Sequence, residues 1–201
     1  MFMWKRCRLL LPFSLLIAIS ACRAKPASFD VSPREVTLTQ RDETAELNVR
    51  VLDDEGTVLE NGSLSYAVED DKIASISPDG RISPLSSGAT QVIIQADTVK
   101  LAVPVKVSLP ARIILSVPQI TLTSRISTLE VHARVVDEQG EPWLGQPQFS
   151  WTSADPHVVS VNEGRIDAHH SGTTIVTVSF GTLKKEIPAT VLLEDGALYT
   201  L

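Results

Sequence analysis

Apolar and polar residues alternate along much of the chain. In 45–51, Ala45, Leu47, Val49 and Val51 fall on one side, and Glu46, Asn48 and Arg50 on the other. Leu129, Val131, Ala133 and Val135 repeat the pattern against Glu130, His132 and Arg134. Val92, Ile94 and Ala96 form a second such row, matched by Val176, Val178 and Phe180. Val103, Val105 and Val107 form a third, matched by Ile187, Ala189 and Val191. A period of two predicts strands with one buried and one wet face. Turn signals separate the runs: Asp53–Gly56, Glu60-Asn61-Gly62, Pro78-Asp79-Gly80 and Ser86-Ser87-Gly88. No stretch carries a convincing helical period. Roughly seven short strands in about 80 residues predict an all-β, two-sheet sandwich.

The pattern is written twice. Val36-Thr37-Leu38-Thr39 matches Ile120-Thr121-Leu122-Thr123, at an offset of 84 residues. Asp53-Asp54-Glu55-Gly56 matches Asp137-Glu138-Gln139-Gly140, Gly80-Arg81-Ile82 matches Gly164-Arg165-Ile166, and Ser87-Gly88 matches Ser171-Gly172. Two copies predict two tandem domains, over 29–108 and 109–192, followed by a tail over 193–201. The junction, Ser108 to Arg112, is short and contains Pro110, with no Gly/Ser run to loosen it. It predicts end-to-end stacking with restricted bending.

The N-terminus departs from this pattern. Met1–Arg8 is short and basic, and Leu9–Ile19 is almost wholly apolar. A run of about 11 residues is too short to cross ~30 Å of hydrocarbon as a stable helix. A basic head, a short apolar stretch and a small-residue end predict a signal peptide over 1–21. The tetrad Ile19-Ser20-Ala21-Cys22 resembles the lipobox of bacterial lipoproteins. That resemblance implies cleavage before Cys22, with a diacylglyceryl group on its thiol and an acyl chain such as palmitate on its amine. Residues 22–28 would be the lipidated cysteine and a short tether. Several acyl chains hold a protein stably at a membrane where one does not. Arg23 occupies the second mature position, where an aspartate would resemble an inner-membrane retention signal. This implies the outer membrane in a Gram-negative source, on either its periplasmic or its surface face.

Charge and cysteine content sharpen the picture. The chain has 201 residues, 18 basic and 24 acidic, for a formal charge of -6. Residues 1–21 hold Lys5, Arg6 and Arg8 and no acid, so the remainder carries 15 basic and 24 acidic residues, or -9. An acidic surface is a poor match for nucleic acid. Cys7 lies in the expected leader and Cys22 would be lipidated, so the predicted domains hold no cysteine and rely on core packing.

The ordered elements of each copy together are similar to the bacterial immunoglobulin-like domain of the group-2 type, found in invasin- and intimin-like surface proteins. A Val/Ile-Thr-Leu strand comes first, then the alternating strand ending in Asp-x-x-Gly, then Leu64-Ser65-Tyr66 or Phe149-Ser150-Trp151. An acidic turn, Ile73–Ile76 or Val158–Val161, Gly-Arg-Ile, Ser-Gly-x-Thr and two closing strands follow. The resemblance spans about residues 29–192 and implies two Ig-like sandwiches, with Trp151 and Tyr66 as core aromatics on their third strands.

Candidate chemistry is sparse. Asp53, Asp54 and Glu55 supply the hard oxygens that calcium favours. The same residues suit a hairpin turn, with Asp as cap and Gly at positive φ, and the second copy has one carboxylate fewer. His169-His170 are adjacent in a loop with no third histidine or cysteine near in sequence, a poor metal set. His132 and His157 read as solvated surface residues. Trp143 lies in a loop where the first copy has Leu59. It could pack over the end of the sandwich or offer a platform to a glycan or protein. With no nucleophile and base set, the sequence predicts no enzyme and no cofactor beyond the lipid on Cys22. The expected role is a membrane-anchored interaction, adhesion or spacer module. The alternative is a periplasm-facing accessory subunit of an envelope assembly.

Overall fold

The computed structural model describes residues 25–59 and 63–194. The expected signal peptide, Cys22, the first residues of the tether, the Glu60-Asn61-Gly62 turn and residues 195–201 lie outside the described residues.

The described chain is all-β. The first half contains β1 (Ser28–Ser32), β2 (Val36–Leu38), β3 (Ala45–Glu46), β4 (Asn48–Leu52), β5 (Ser65–Val68), β6 (Ala74–Ile76), β7 (Arg81–Pro84), β8 (Gly88–Ala96) and β9 (Val99–Val107). The second repeats them as β10 (Pro110–Leu115), β11 (Ile120–Thr123), β12 (Thr128–Glu130), β13 (Ala133–Asp137), β14 (Ser150–Ser153), β15 (Val159–Asn162), β16 (Arg165–Ala168), β17 (Gly172–Phe180) and β18 (Leu183–Leu192). Each half has a four-stranded sheet, β2-β9-β8-β5 or β11-β18-β17-β14, whose first pair is parallel. A three-stranded sheet, β3-β7-β6 or β12-β16-β15, and a two-stranded pair, β1-β4 or β10-β13, complete it.

Alternation places the apolar rows inside. Val92, Ile94, Val103, Val105 and Val107 project from the long β8–β9 hairpin and are at most 2% exposed. Leu38 and Ile82 meet them in the first core. Val176, Ile187, Ala189 and Val191 do the same from β17–β18, against Leu122 and Ile166. Burying each such side chain is worth roughly 1.5–3 kcal/mol, and in the absence of a cysteine among residues 23–201 these cores hold the fold.

One element differs from the sequence expectation. The run 45–51, read as a single strand, is broken at Leu47. Its front half, β3, pairs with β7, and its back half, β4, pairs with β1. Leu47 N–H still continues the β3–β7 register, donating to Gly80 O at 3.1 Å. The second copy breaks at the matching place, where Val131 N–H donates to Gly164 O at 2.8 Å. The strand thus changes partner from β7 to β1 at this residue, whose side chain stays buried. Period-two alternation survives such a change of partner, so the sequence pattern does not reveal it.

Glycine is required at position 164, opposite this break. Its φ is +90°, and a Cβ there would stand 2.4 Å from Val131 O. Trp151 packs beside it on the second core, half-buried rather than enclosed. Tyr66 holds the corresponding place in the first core, and burial pushes its hydroxyl pKa up.

Candidate functional site

The two cores are separate, but the ends of the sandwiches interlock. Leu109 is 1% exposed and packs in the first core, and β10 begins at the next residue. No flexible spacer separates the halves. The hairpin turn after β13, Asp137-Glu138-Gln139-Gly140, lies against the end of the first sandwich.

The turn is built by its aspartate. Asp137 Oδ1 accepts from Gln139 N–H and Glu141 N–H, both at 3.0 Å, and Gly140 N–H donates to Asp137 O at 3.1 Å. Gly140 closes the turn at φ +89°, a conformation glycine adopts without steric cost. Shaped this way, the next two side chains face the first sandwich. Glu138 Oε2 accepts from Ser87 N–H at 3.0 Å, and its other oxygen pairs with the Arg41 guanidinium. Gln139 Nε2 donates to Ser87 O at 2.8 Å.

Beneath these contacts lies a buried polar layer. Ser87 is 5%, Ser108 1% and Asp137 6% exposed. Ser87 Oγ accepts from Leu109 N–H at 2.9 Å. Ser108 Oγ donates to Asp137 Oδ2 at 3.4 Å and accepts from Leu144 N–H at 3.3 Å. Buried polar groups demand partners, and here each serine and the aspartate has them.

Trp143 completes the junction. Its ring lies against Phe180 at the end of β17, with centroids 5.0 Å apart and planes at 53°. Phe149 meets the same phenylalanine at 6.2 Å. Trp143 Nε1 donates across the junction to Thr39 O at 3.1 Å, using the single donor an indole has.

The other candidates stand apart from the junction. Asp53, Asp54 and Glu55 form the matching turn at the opposite end of the first sandwich. Asp53 Oδ1 accepts from Glu55 N–H at 3.0 Å and Thr57 N–H at 2.7 Å, and Asp54 and Glu55 are exposed. Its carboxylate therefore caps the turn in the same way as Asp137. His169 Nε2 is 2.8 Å from Ser160 Oγ, and His170 Nδ1 is 2.7 Å from His157 O. Among the described residues, no three histidine, cysteine or acidic side chains converge as a metal-binding group. A groove lined by Phe29, Val31, Arg34 and Leu101–Val103 carries one guanidinium and no acid–base pair.

Sequence reasoning singled out Trp143 and both acidic turns but not their joint role. Thr39, Arg41, Ser87 and Ser108 are unremarkable as residue types. What makes them a site is a turn and a tryptophan arriving from 29 to 104 positions later in the chain.

No protein-family model matches the chain, and no curated protein does. Solved structures do. The chain is similar to FdeC, described as an Escherichia coli adhesin, at 14% identity and a TM-score of 0.55, covering 84% of this chain and 65% of that one. Further likenesses are to domains 1–6 of the surface-layer protein SbsC (16% identity, TM-score 0.45, 86% of this chain) and to InvD of Yersinia pseudotuberculosis (12%, 0.44, 87%). The chain spans 28% of the SbsC fragment and 60% of the InvD fragment. At these identities the FdeC likeness shows the fold alone: two tandem Ig-like β-sandwiches.

Proposed function

We propose that this chain is a non-enzymatic module of the bacterial cell envelope, a stiff pair of Ig-like domains that holds an interaction surface at a set distance from its anchor. The observation that carries this reading is the junction. A buried, fully partnered polar layer between two small cores serves no reaction, but it fixes one sandwich on the other. Adhesins and surface-layer proteins are what the structural neighbours are named as, which supports interaction or adhesion as the class of role.

In this reading the domains are 29–108 and 109–192, of the group-2 Ig-like type. The anchor is the lipid on Cys22, in the outer membrane. The segment Arg23–Ala27 reaches about 17 Å when fully extended at ~3.3 Å per residue, so the first sandwich would sit close to the bilayer. Trp143 serves the junction, and the Asp53–Glu55 turn serves as a hairpin cap. Partners would be proteins or glycans, bound at the exposed loops and strand edges.

Two experiments test the reading. Metabolic labelling with a palmitate analogue marks the wild-type chain and not Cys22→Ser; labelling of both would refute the anchor. Protease added to intact and to permeabilised host cells then locates the module. Cleavage of the second sandwich on intact cells is the expected result for surface display. Protection until permeabilisation would favour the periplasm-facing accessory subunit instead, and the adhesion role would be withdrawn.

A further inference from the structure

The offset that relates the two copies also carries the socket of the junction to the far end of the molecule. Thr39, Arg41, Ser87 and Leu109 become Thr123, Arg125, Ser171 and Leu193. The local geometry is preserved. Leu193 N–H donates to Ser171 Oγ at 3.0 Å, as Leu109 N–H does to Ser87 Oγ at 2.9 Å. Leu193 packs against the second core as Leu109 packs in the first.

Occupancy is what differs. Ser87 is buried beneath the turn of the second sandwich, whereas Ser171 is exposed. Ser108, 1% exposed, is replaced by Leu192, 59% exposed. Leu192 pairs with Thr123, whose N–H donates to the carbonyl of Ile126, and Ile126 is 56% exposed. Two large apolar side chains therefore flank a guanidinium and a serine at an end that, among the described residues, nothing covers.

We propose that this distal end is a docking site for a protein partner that presents an acidic hairpin turn of the Asp-Glu-Gln-Gly kind. The partner's carboxylate sits between the Arg125 guanidinium and the Ser171 N–H, as Glu138 sits between Arg41 and Ser87. Its flanking apolar residues cover Leu192 and Ile126. The inference deepens the interaction-module reading and rests on it for biological meaning.

The occupant is a different protein rather than a second copy of this chain. The free turn on the first sandwich has Glu55 where Gln139 donates to Ser87 O, so a carboxylate would face the Ser171 carbonyl. It has Leu59 where Trp143 donates to Thr39 O, so that bond is lost as well. Like polar groups set against each other discriminate between partners.

The test lengthens the full chain after Leu193 with a second copy of residues 110–194, whose Asp137–Gly140 turn is the probe. Amide hydrogen exchange is read at Ser171 and, as the built-in reference, at Ser87. The expected result is that Ser171 exchange slows at least about tenfold on lengthening, towards the Ser87 rate. Arg125→Glu restores fast exchange at Ser171 while core amides such as Val176 stay protected. Unchanged Ser171 exchange in the lengthened chain would overturn the proposal. So would Ser171 slowing in the natural chain that vanishes on deleting 195–201, because the chain's own tail would then fill the site. Concentration-dependent slowing in the natural chain would assign the site to a second copy instead. None of these outcomes depends on which side of the membrane the module occupies.

Discussion

Asp137 and Asp53 cap the same turn in two environments, and replacing each with alanine separates the junction from the turn. Both accept two backbone N–H groups through Oδ1. Asp53 does so at an open end of the molecule. Losing an exposed side-chain cap of this sort costs about 1 kcal/mol. Asp137 is 6% exposed, and its second oxygen also takes the Ser108 hydroxyl. Removing it leaves three donors without their acceptor, the buried Ser108 hydroxyl and two part-buried backbone N–H groups of exposed residues, at roughly 1–3 kcal/mol for each group that stays buried. Partial access of water to Gln139 and the weak 3.4 Å bond bring the expected loss to about 3 kcal/mol.

The assay is urea unfolding followed by tryptophan fluorescence and far-ultraviolet circular dichroism. Once the expected leader is removed, Trp143 and Trp151 are the remaining tryptophans, both in the second sandwich. Fluorescence thus reports that sandwich together with its junction to the first. Asp137→Ala should lower its stability by about 3 kcal/mol, and Asp53→Ala should shift only the circular dichroism transition of the first sandwich, by about 1 kcal/mol. Equal losses from the two substitutions would refute the argument, because the turn would then matter only to its own hairpin.

Other substitutions probe other links. Trp143→Phe keeps a ring against Phe180 but drops the bond to Thr39 O, and should cost about 1 kcal/mol in the second sandwich, read by denaturant midpoint. Gly164→Ala sets a Cβ against Val131 O at positive φ and should destabilise the second sandwich by at least about 2 kcal/mol in the same assay. Trp151→Ala should cost about 3 kcal/mol, at the low end for a core tryptophan because the ring is half-buried; an unchanged thermal melt would remove Trp151 from the core. The Thr128 hydroxyl, 2.6 Å from Asp167 Oδ1, holds that carboxyl below the usual carboxylate range, with Arg165 assisting. A depressed folded-state pKa contributes stability that is present above the unfolded value and lost as pH falls through the folded one. Thr128→Ala should therefore move the Asp167 titration, followed by NMR, upward and weaken the acid-side loss of stability.

The sandwiches were legible in the sequence because alternation, turn residues and the 84-residue repeat are local signals that agree with one another. Val103, Val105 and Val107 alternate in the sequence and are buried in the fold. The breaks at Leu47 and Val131 were hidden, since a strand that changes pairing partner keeps its period. The junction was hidden for a different reason. Ser87 and Ser108 read as ordinary turn and linker residues, and their burial depends on a turn brought to them by the fold.

The central claim is that the Asp137–Gly140 turn joins the two sandwiches into one stiff unit. Residual dipolar couplings measured on backbone amides of both sandwiches test it most directly. The account predicts that one alignment tensor fits both halves, and that Arg41→Glu with Glu138→Ala splits it in two while each half keeps its own fold. Two different tensors in the unaltered chain would contradict it.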